Sequence, residues 1–139
     1  MGEHMEITRR EWRIPRERQD EIALASHRNA IAVPRLLART GLALGDIDLI
    51  EIHEAFAAQV LANVAAWEQG WRGAATGPAD WQRVNVNGSS VAVGHPWAAT
   101  GGRILTTLAY EMARRNARRG LISICAAGGM AGTFLLSRR

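Results

Sequence analysis

The sequence predicts an α/β domain in which helices cover a sheet. Three observations predict it. Two stretches, 54–69 and 98–116, are helix signals rich in apolar residues and nearly free of breakers. Short apolar runs at 48–52, 121–126 and 133–136 read as strands, and the second is apolar enough to be buried on both faces. The whole spans 139 residues, which suits one domain with a real core.

Taken in order, residues 1–14 are charged and hold no sustained period. Pro15 opens a helix at its first-turn position, followed by apolar Ile22, Ala23, Ala25 and Ala30. Pro34 should interrupt or kink that helix, because its ring removes a donor and clashes with the preceding turn. A second helix runs from Pro34 to Thr40 and stops at Gly41. Leu44-Gly45-Asp46-Ile47 is a turn, and Asp48 to Ile52 is a short strand. The helix Glu54 to Gln69 follows, then a Gly-rich loop to Asp80 and a short extended piece, Trp81 to Val86. In the helix Ala98 to Asn116, Ile104, Leu105, Leu108 and Met112 are expected on one face. Arg114, Arg115, Arg118 and Arg119 crowd its C-terminal end, where they suit the negative end of the helix dipole and read as a solvated surface. Gly120 ends this helix, Leu121 to Ala126 is a strand, Gly128-Gly129 turns the chain, and Thr133 to Leu136 returns as its antiparallel neighbour.

Composition excludes several classes. Apolar residues make up 47% and charged residues 22%, which argues against disorder. No window holds 18 apolar residues, so no membrane span is expected, and the charged N-terminus lacks the apolar core of a signal peptide. A cytoplasmic setting is the expectation. A single cysteine, Cys125, excludes an intrachain disulfide. Net charge is +4, and all 17 basic residues are arginine. Guanidinium groups favour phosphate-bearing ligands. The scattered aromatics show no base-stacking pattern, so nucleic acid is not an expected partner.

The chemistry-bearing stretch is Asn85-Val86-Asn87-Gly88-Ser89-Ser90-Val91-Ala92-Val93-Gly94-His95-Pro96. Gly94 and Pro96 fix the backbone on both sides of His95, just before a helix, as a positioned general base requires. Two other features line up with it. His53-Glu54-Ala55-Phe56 stands where a strand signal meets a helix signal. Cys125-Ala126-Ala127-Gly128-Gly129 stands where a buried strand ends in a Gly turn.

These three motifs, in this order, resemble the C-terminal signatures of the thiolases. His53 stands where most of that family has Asn, and this form, with Cys-Ala-Ala-Gly-Gly, is more similar to the β-subunit of the fatty-acid oxidation trifunctional complex. The resemblance implies a thiolase-like C-terminal half, a mixed sheet covered by helices, over residues 33–139. Residues 1–32 resemble a remnant of the family's loop domain, which lies over coenzyme A. The rest of that loop domain, and the half that carries the family's nucleophilic cysteine, are not matched within residues 1–139. The expectation is therefore a truncated acyltransferase, inactive alone.

The resemblance also implies roles. His95 activates the nucleophilic cysteine and helps bind the thioester oxygen. Cys125 is the acid/base at the α-carbon or the coenzyme A sulfur, and needs a polar, electropositive setting to act as a base near neutrality. His53 takes the place of an Asn that holds an oxyanion-hole water. The backbone at Ala127 and Gly128 faces the second oxyanion, Asn87 and Gly94 shape the substrate site, and Glu54 orients its neighbours. Coenzyme A and acyl-CoA are implied as substrates, with no permanently bound cofactor and no metal. A homo-oligomer or another thiolase-type subunit is the implied partner, because this half alone leaves helix faces uncovered.

Each residue also has a plainer reading. His95 is alternatively a turn histidine satisfied by backbone, Cys125 an inert buried thiol, and His53 a helix cap. Asn87 and Gly88 equally shape a turn. The alternative function is a non-catalytic acyl-CoA-binding or subunit-assembly module.

Overall fold

The computed structural model describes residues 31–71, 73–126 and 130–138, with residues 11, 13 and 15 besides. The expected first helix after Pro15, and the turn at Ala127, Gly128 and Gly129, lie outside the described residues.

The described residues form a three-stranded mixed sheet between two helical layers. Strand β1 (Leu49–Ile52) is central in sequence but lies at one edge, in the order β1-β2-β3. It pairs in parallel with β2 (Arg119–Ala126), with Ile52 opposite Ser123. Strand β3 (Met130–Ser137) returns antiparallel, with Cys125 opposite Ala131. The strand at 121–126, its antiparallel neighbour and the α/β class stand as expected.

Alternation along β1 decides what each layer receives. Ile50 and Ile52 join Val33, Leu37, Val64 and Trp67 in one core cluster. Leu49 joins Ile104, Leu108, Met112 and Ile122 in the other. Glu51 and His53 alternate with Ile50 and Ile52, so they share the face of Leu49. Two polar side chains are thus buried on the face that a single helix covers.

Helix α1 (Ala32–Thr40) accommodates Pro34 in its first turn, where an N–H has no intrahelical acceptor to lose. Helix α2 (Ala57–Gln69) buries Val60, Val64 and Trp67, one stripe at spacings of four and three. It starts three residues later than the sequence predicts. Phe56, its N-cap, is extended, and the Glu54 carboxylate is held by Asn85 and Val91 instead of joining the first turn. His53 is therefore no helix cap. The piece 81–86 is not extended throughout: Trp81–Arg83 is a 3-10 turn closed by Asp80, and only Val84 bridges to Ile50. A four-residue helix, α3 (Ser90–Val93), lies inside the chemistry-bearing stretch.

Helix α4 (Thr100–Arg114) buries Ile104, Leu108 and Met112, with Thr100 and Glu111 on the same stripe. Leu105 is turned away and exposed, one residue off the stripe. Gly120 lets this helix sit close to β2, since a Cβ there would meet Met112 Sδ at 2.6 Å and Leu108 Cδ2 at 2.9 Å. The arginine cluster is not simply solvated. Arg114 and Arg115 both pair with the Glu111 carboxylate. Hydrogen bonds from Arg114 above all, then from Arg115 and Asn87, hold that carboxyl down to about 2, against the opposing effect of burial. The backbone N–H groups of Arg118 and Arg119 donate to Asp48 Oδ2 at 2.7 and 2.8 Å, which ties the starts of β1 and β2 together.

Candidate active site

Where two parallel strands end side by side, the groups just beyond their C-terminal ends converge. His53 follows β1, and its N–H donates to Ser123 O of β2 at 2.9 Å. Cys125 stands two residues further along β2. The loop between α2 and α4 brings His95 to the same end. The His53 and His95 rings lie 4.4 Å apart between centroids, tilted by 44°.

Asn85 fixes that loop. Its N–H donates to Ile50 O at 2.8 Å. Its side chain accepts from Ile52 N at 2.7 Å and donates to Ile52 O at 3.0 Å and to Glu54 Oε1 at 2.8 Å. Its φ of 46° is a left-handed value that Asn tolerates better than most residues. Glu54 Oε2 accepts from the Val91 N–H at 3.0 Å, so one carboxylate ties the β1 terminus to α3. Gly94 then turns the chain toward His95 with φ 88°, a region where a side chain is strained even though a Cβ would meet nothing.

Hydrogen bonds assign the two imidazoles opposite tautomers. His95 Nδ1 is 2.7 Å from Thr100 Oγ1, and that hydroxyl donates to Pro96 O at 3.2 Å. A hydroxyl has one hydrogen, so His95 must donate from Nδ1. Its Nε2 is left with a free lone pair, the form a base needs. His53 is the reverse case. It is only 2% exposed, and its Nδ1 is 2.9 Å from Ser90 Oγ. Ser90 Oγ also receives Arg103 NH2 at 2.8 Å. Burial, then the nearby His95 and Arg103, push the His53 pKa down, with Glu54 opposing, so the ring is neutral. The pair thus offers one acceptor and one donor side by side. His95 itself is exposed, with Trp97 stacked near it at 6.3 Å between centroids. Trp97 is 84% exposed.

Cys125 is a free, half-buried thiol whose pKa is pushed up by burial. It rests as the thiol at neutral pH, a proton donor first and a base only after ionisation. Asn87 is exposed, and its side chain contributes to holding the Glu111 carboxyl down. Ala127 and Gly128 lie outside the described residues. Sequence reasoning singled out His53, His95, Cys125 and Glu54, and the structure brings the first two and Glu54 into one network. It missed Thr100, Ser90, Arg103 and Glu51. The last three had a signal: polar residues at core-facing positions, Glu51 alternating with Ile50 and Ile52, and Arg103 directly beside Ile104 of the α4 stripe.

Glu51 is 1% exposed and faces α4 beneath His53, with its Oε2 unpartnered. Burial pushes its carboxyl up to about 7, opposed by Arg103 and assisted by Glu54 and Glu111. Among the described residues no cluster of His, Cys, Asp and Glu could hold a metal ion.

The parallel strand ends gather a strand-borne thiol and a loop-borne imidazole on an α/β fold, and the chain belongs to the thiolase family. A family model described as the thiolase C-terminal domain matches residues 18–138. A 3-ketoacyl-CoA thiolase of Pseudoalteromonas atlantica is 47% identical over 112 residues, 76% of this chain and 26% of that protein. One of Escherichia coli O81 is 46% identical over 114 residues, 77% of this chain and 26% of that protein. The solved structure of acetyl-CoA acetyltransferase from Syntrophomonas wolfei superposes with a TM-score of 0.75 at 36% identity, over 83% of this chain and 28% of that one. The chain thus spans about a quarter of the length of the relatives it matches.

Proposed function

We propose that this chain supplies the acid/base and oxyanion-binding groups for cleavage of a 3-ketoacyl-CoA by coenzyme A, the thiolase reaction of fatty-acid β-oxidation. The observation that carries this is the imidazole pair, 4.4 Å apart, with one ring presenting a lone pair and the other an N–H. That complementarity favours acyl transfer over a non-catalytic assembly module.

In this reading a cysteine thiolate from outside residues 1–139 attacks the 3-keto carbon. His95 Nε2 takes the proton of that thiol. The bond between the α-carbon and the keto carbon breaks, and its electron pair passes into the enolate of acetyl-CoA. The His53 N–H stabilises negative charge on the reacting oxygen, and the Cys125 thiol protonates the α-carbon. In the second half the resulting Cys125 thiolate takes the proton of incoming coenzyme A, whose sulfur attacks the acyl-enzyme; the bond from the acyl carbon to the nucleophilic cysteine breaks, and that thiolate recovers the proton held by His95. Acyl-CoA is the substrate, with no resident cofactor.

The setting proposed is the cytoplasm, in a homo-oligomer or with a second thiolase-type subunit. No helix among the described residues is long and apolar enough to cross a membrane. Exposed Phe56, Val91, Val93 and Trp97 surround the site and Leu61 lies on α2, an apolar surface suited to burial against a partner.

One half-reaction needs no nucleophile and tests the reading on the purified protein. Cys125 and the imidazoles should exchange the α-hydrogens of acetyl-CoA with D2O, read by mass spectrometry, faster as pH rises through thiol ionisation. Cys125→Ala should abolish the exchange, His53→Ala should lower it, and no acyl adduct should form on Cys125. Absence of exchange in the wild type, or a stable acyl group on Cys125, would overturn the assignment.

A further inference from the structure

Beneath the imidazole pair lies a second layer of buried polar groups that the reaction as described does not use. Arg103, on α4, donates through NH2 to Ser90 Oγ at 2.8 Å and lies 3.5 Å from Ser89 Oγ. Ser90 is buried, as is Ser89. Arg103 Nε has no hydrogen-bond partner, and neither has Glu51 Oε2. We propose that Ser90 and Arg103 are positioning residues that hold His53 in one tautomer, with its hydrogen on Nε2.

Arginine is an obligate donor, so its bond occupies a lone pair of Ser90 Oγ. The hydroxyl has one hydrogen left to place, in a site closed to solvent, and its remaining partner is His53 Nδ1 at 2.9 Å. Giving that hydrogen to Nδ1 satisfies the hydroxyl and the ring nitrogen together; turning the imidazole over would leave a buried hydroxyl hydrogen without an acceptor. Asn, which most of the resembled family has at position 53, has a fixed donor. An imidazole does not, and needs a neighbour to fix which nitrogen donates. The groups that act on the charge of His53 are Arg103 from α4, His95 from the loop and Glu54 from the β1 terminus. The first two oppose protonation of the ring, which keeps it a neutral donor.

The catalytic meaning of this layer rests on the proposed acyl-transfer reading, but the tautomer does not. Protein labelled with nitrogen-15 in histidine reports each ring nitrogen by long-range proton correlation. His53 should show a protonated Nε2 and a bare Nδ1, and His95 the reverse. In Ser90→Ala the His53 pattern should become a mixture, while Ser90→Thr keeps it. α-Hydrogen exchange should fall between ~10-fold and ~100-fold in Ser90→Ala, with acetyl-CoA affinity unchanged and the rate restored in Ser90→Thr. A wild-type His53 protonated at Nδ1 would overturn the inference whatever the exchange rate, and needs no variant to fold. So would a Ser90→Ala protein with an unchanged His53 pattern. Correct tautomers without any wild-type exchange would leave the inference standing and remove the acyl-transfer reading instead.

Discussion

Replacing Glu51 by Gln separates the buried charge layer from the rest of the fold. The side chain keeps its shape and loses its proton equilibrium. In the native protein burial raises the Glu51 carboxyl from 4.5 to about 7. That difference corresponds to about 3 kcal/mol of preference for the neutral form. The unfolded chain releases this proton near 4.5, whereas the folded chain holds it until about 7. Between those values the folded state binds more protons, so each rise in pH costs stability, by up to about 1.4 kcal/mol per pH step. The contribution is fully present below 4.5 and lost as pH passes about 7. Glu51→Gln has no such loss. Urea unfolding followed by tryptophan fluorescence, on both proteins from pH 4.5 to 8.5, gives the difference between two stability curves, in which the histidines largely cancel. That difference should shift by about 3 kcal/mol in favour of the variant as pH rises. A flat difference would refute the reasoning, and would mean that Arg103 neutralises an ionised Glu51 across the whole range.

Three further outcomes follow from geometry. Gly120→Ala should destabilise by about 1–3 kcal/mol, since the new Cβ meets Met112 and Leu108 at under 3 Å; a thermal melt that does not move would show that α4 lifts away freely. Asn85→Ala should cost about 1–3 kcal/mol, because the Ile52 N–H loses its acceptor and an Ala must hold φ 46°; proteolysis should then open the 85–96 loop first. Thr100→Val should turn the His95 ring-nitrogen pattern into a mixture of tautomers, because His95 Nδ1 loses the acceptor that fixes it, and should change stability by less than about 1.5 kcal/mol; an unchanged nitrogen-15 pattern would show that the backbone alone orients His95.

The apolar scaffold was legible because burial leaves a period in sequence. Val60, Val64 and Trp67 on α2, and Ile104, Leu108 and Met112 on α4, repeat at helical spacing, and the strand pair after Gly120 is a continuous apolar run. What blurred the edges was competition for backbone and side-chain partners. The α2 start moved because Glu54 is engaged elsewhere, and the piece 81–86 became a 3-10 turn because Asp80 accepts from Gln82 N at 2.9 Å. His53, His95 and Cys125 were legible as residues able to hold or move a proton beside glycines and proline.

The residues that decide how those imidazoles behave were not legible, for a physical reason. Ser90, Thr100, Arg103 and Glu51 act by which lone pair or hydrogen each has left over, and that depends on contacts across 5 to 37 residues of sequence. A polar residue within an apolar stripe reads as a defect until its partner on the next element is known. Arg103 beside Ile104, and Glu51 between Ile50 and Ile52, are two such positions, and they face each other across the α4–β1 interface. Each alone is an expensive burial. Arg103 finds its partner in Ser90, whose hydroxyl in turn meets His53 Nδ1. This explains how an imidazole can stand where most of the resembled family has an amide: its donor is fixed by the layer below it, and His53 is intelligible together with Ser90 and Arg103.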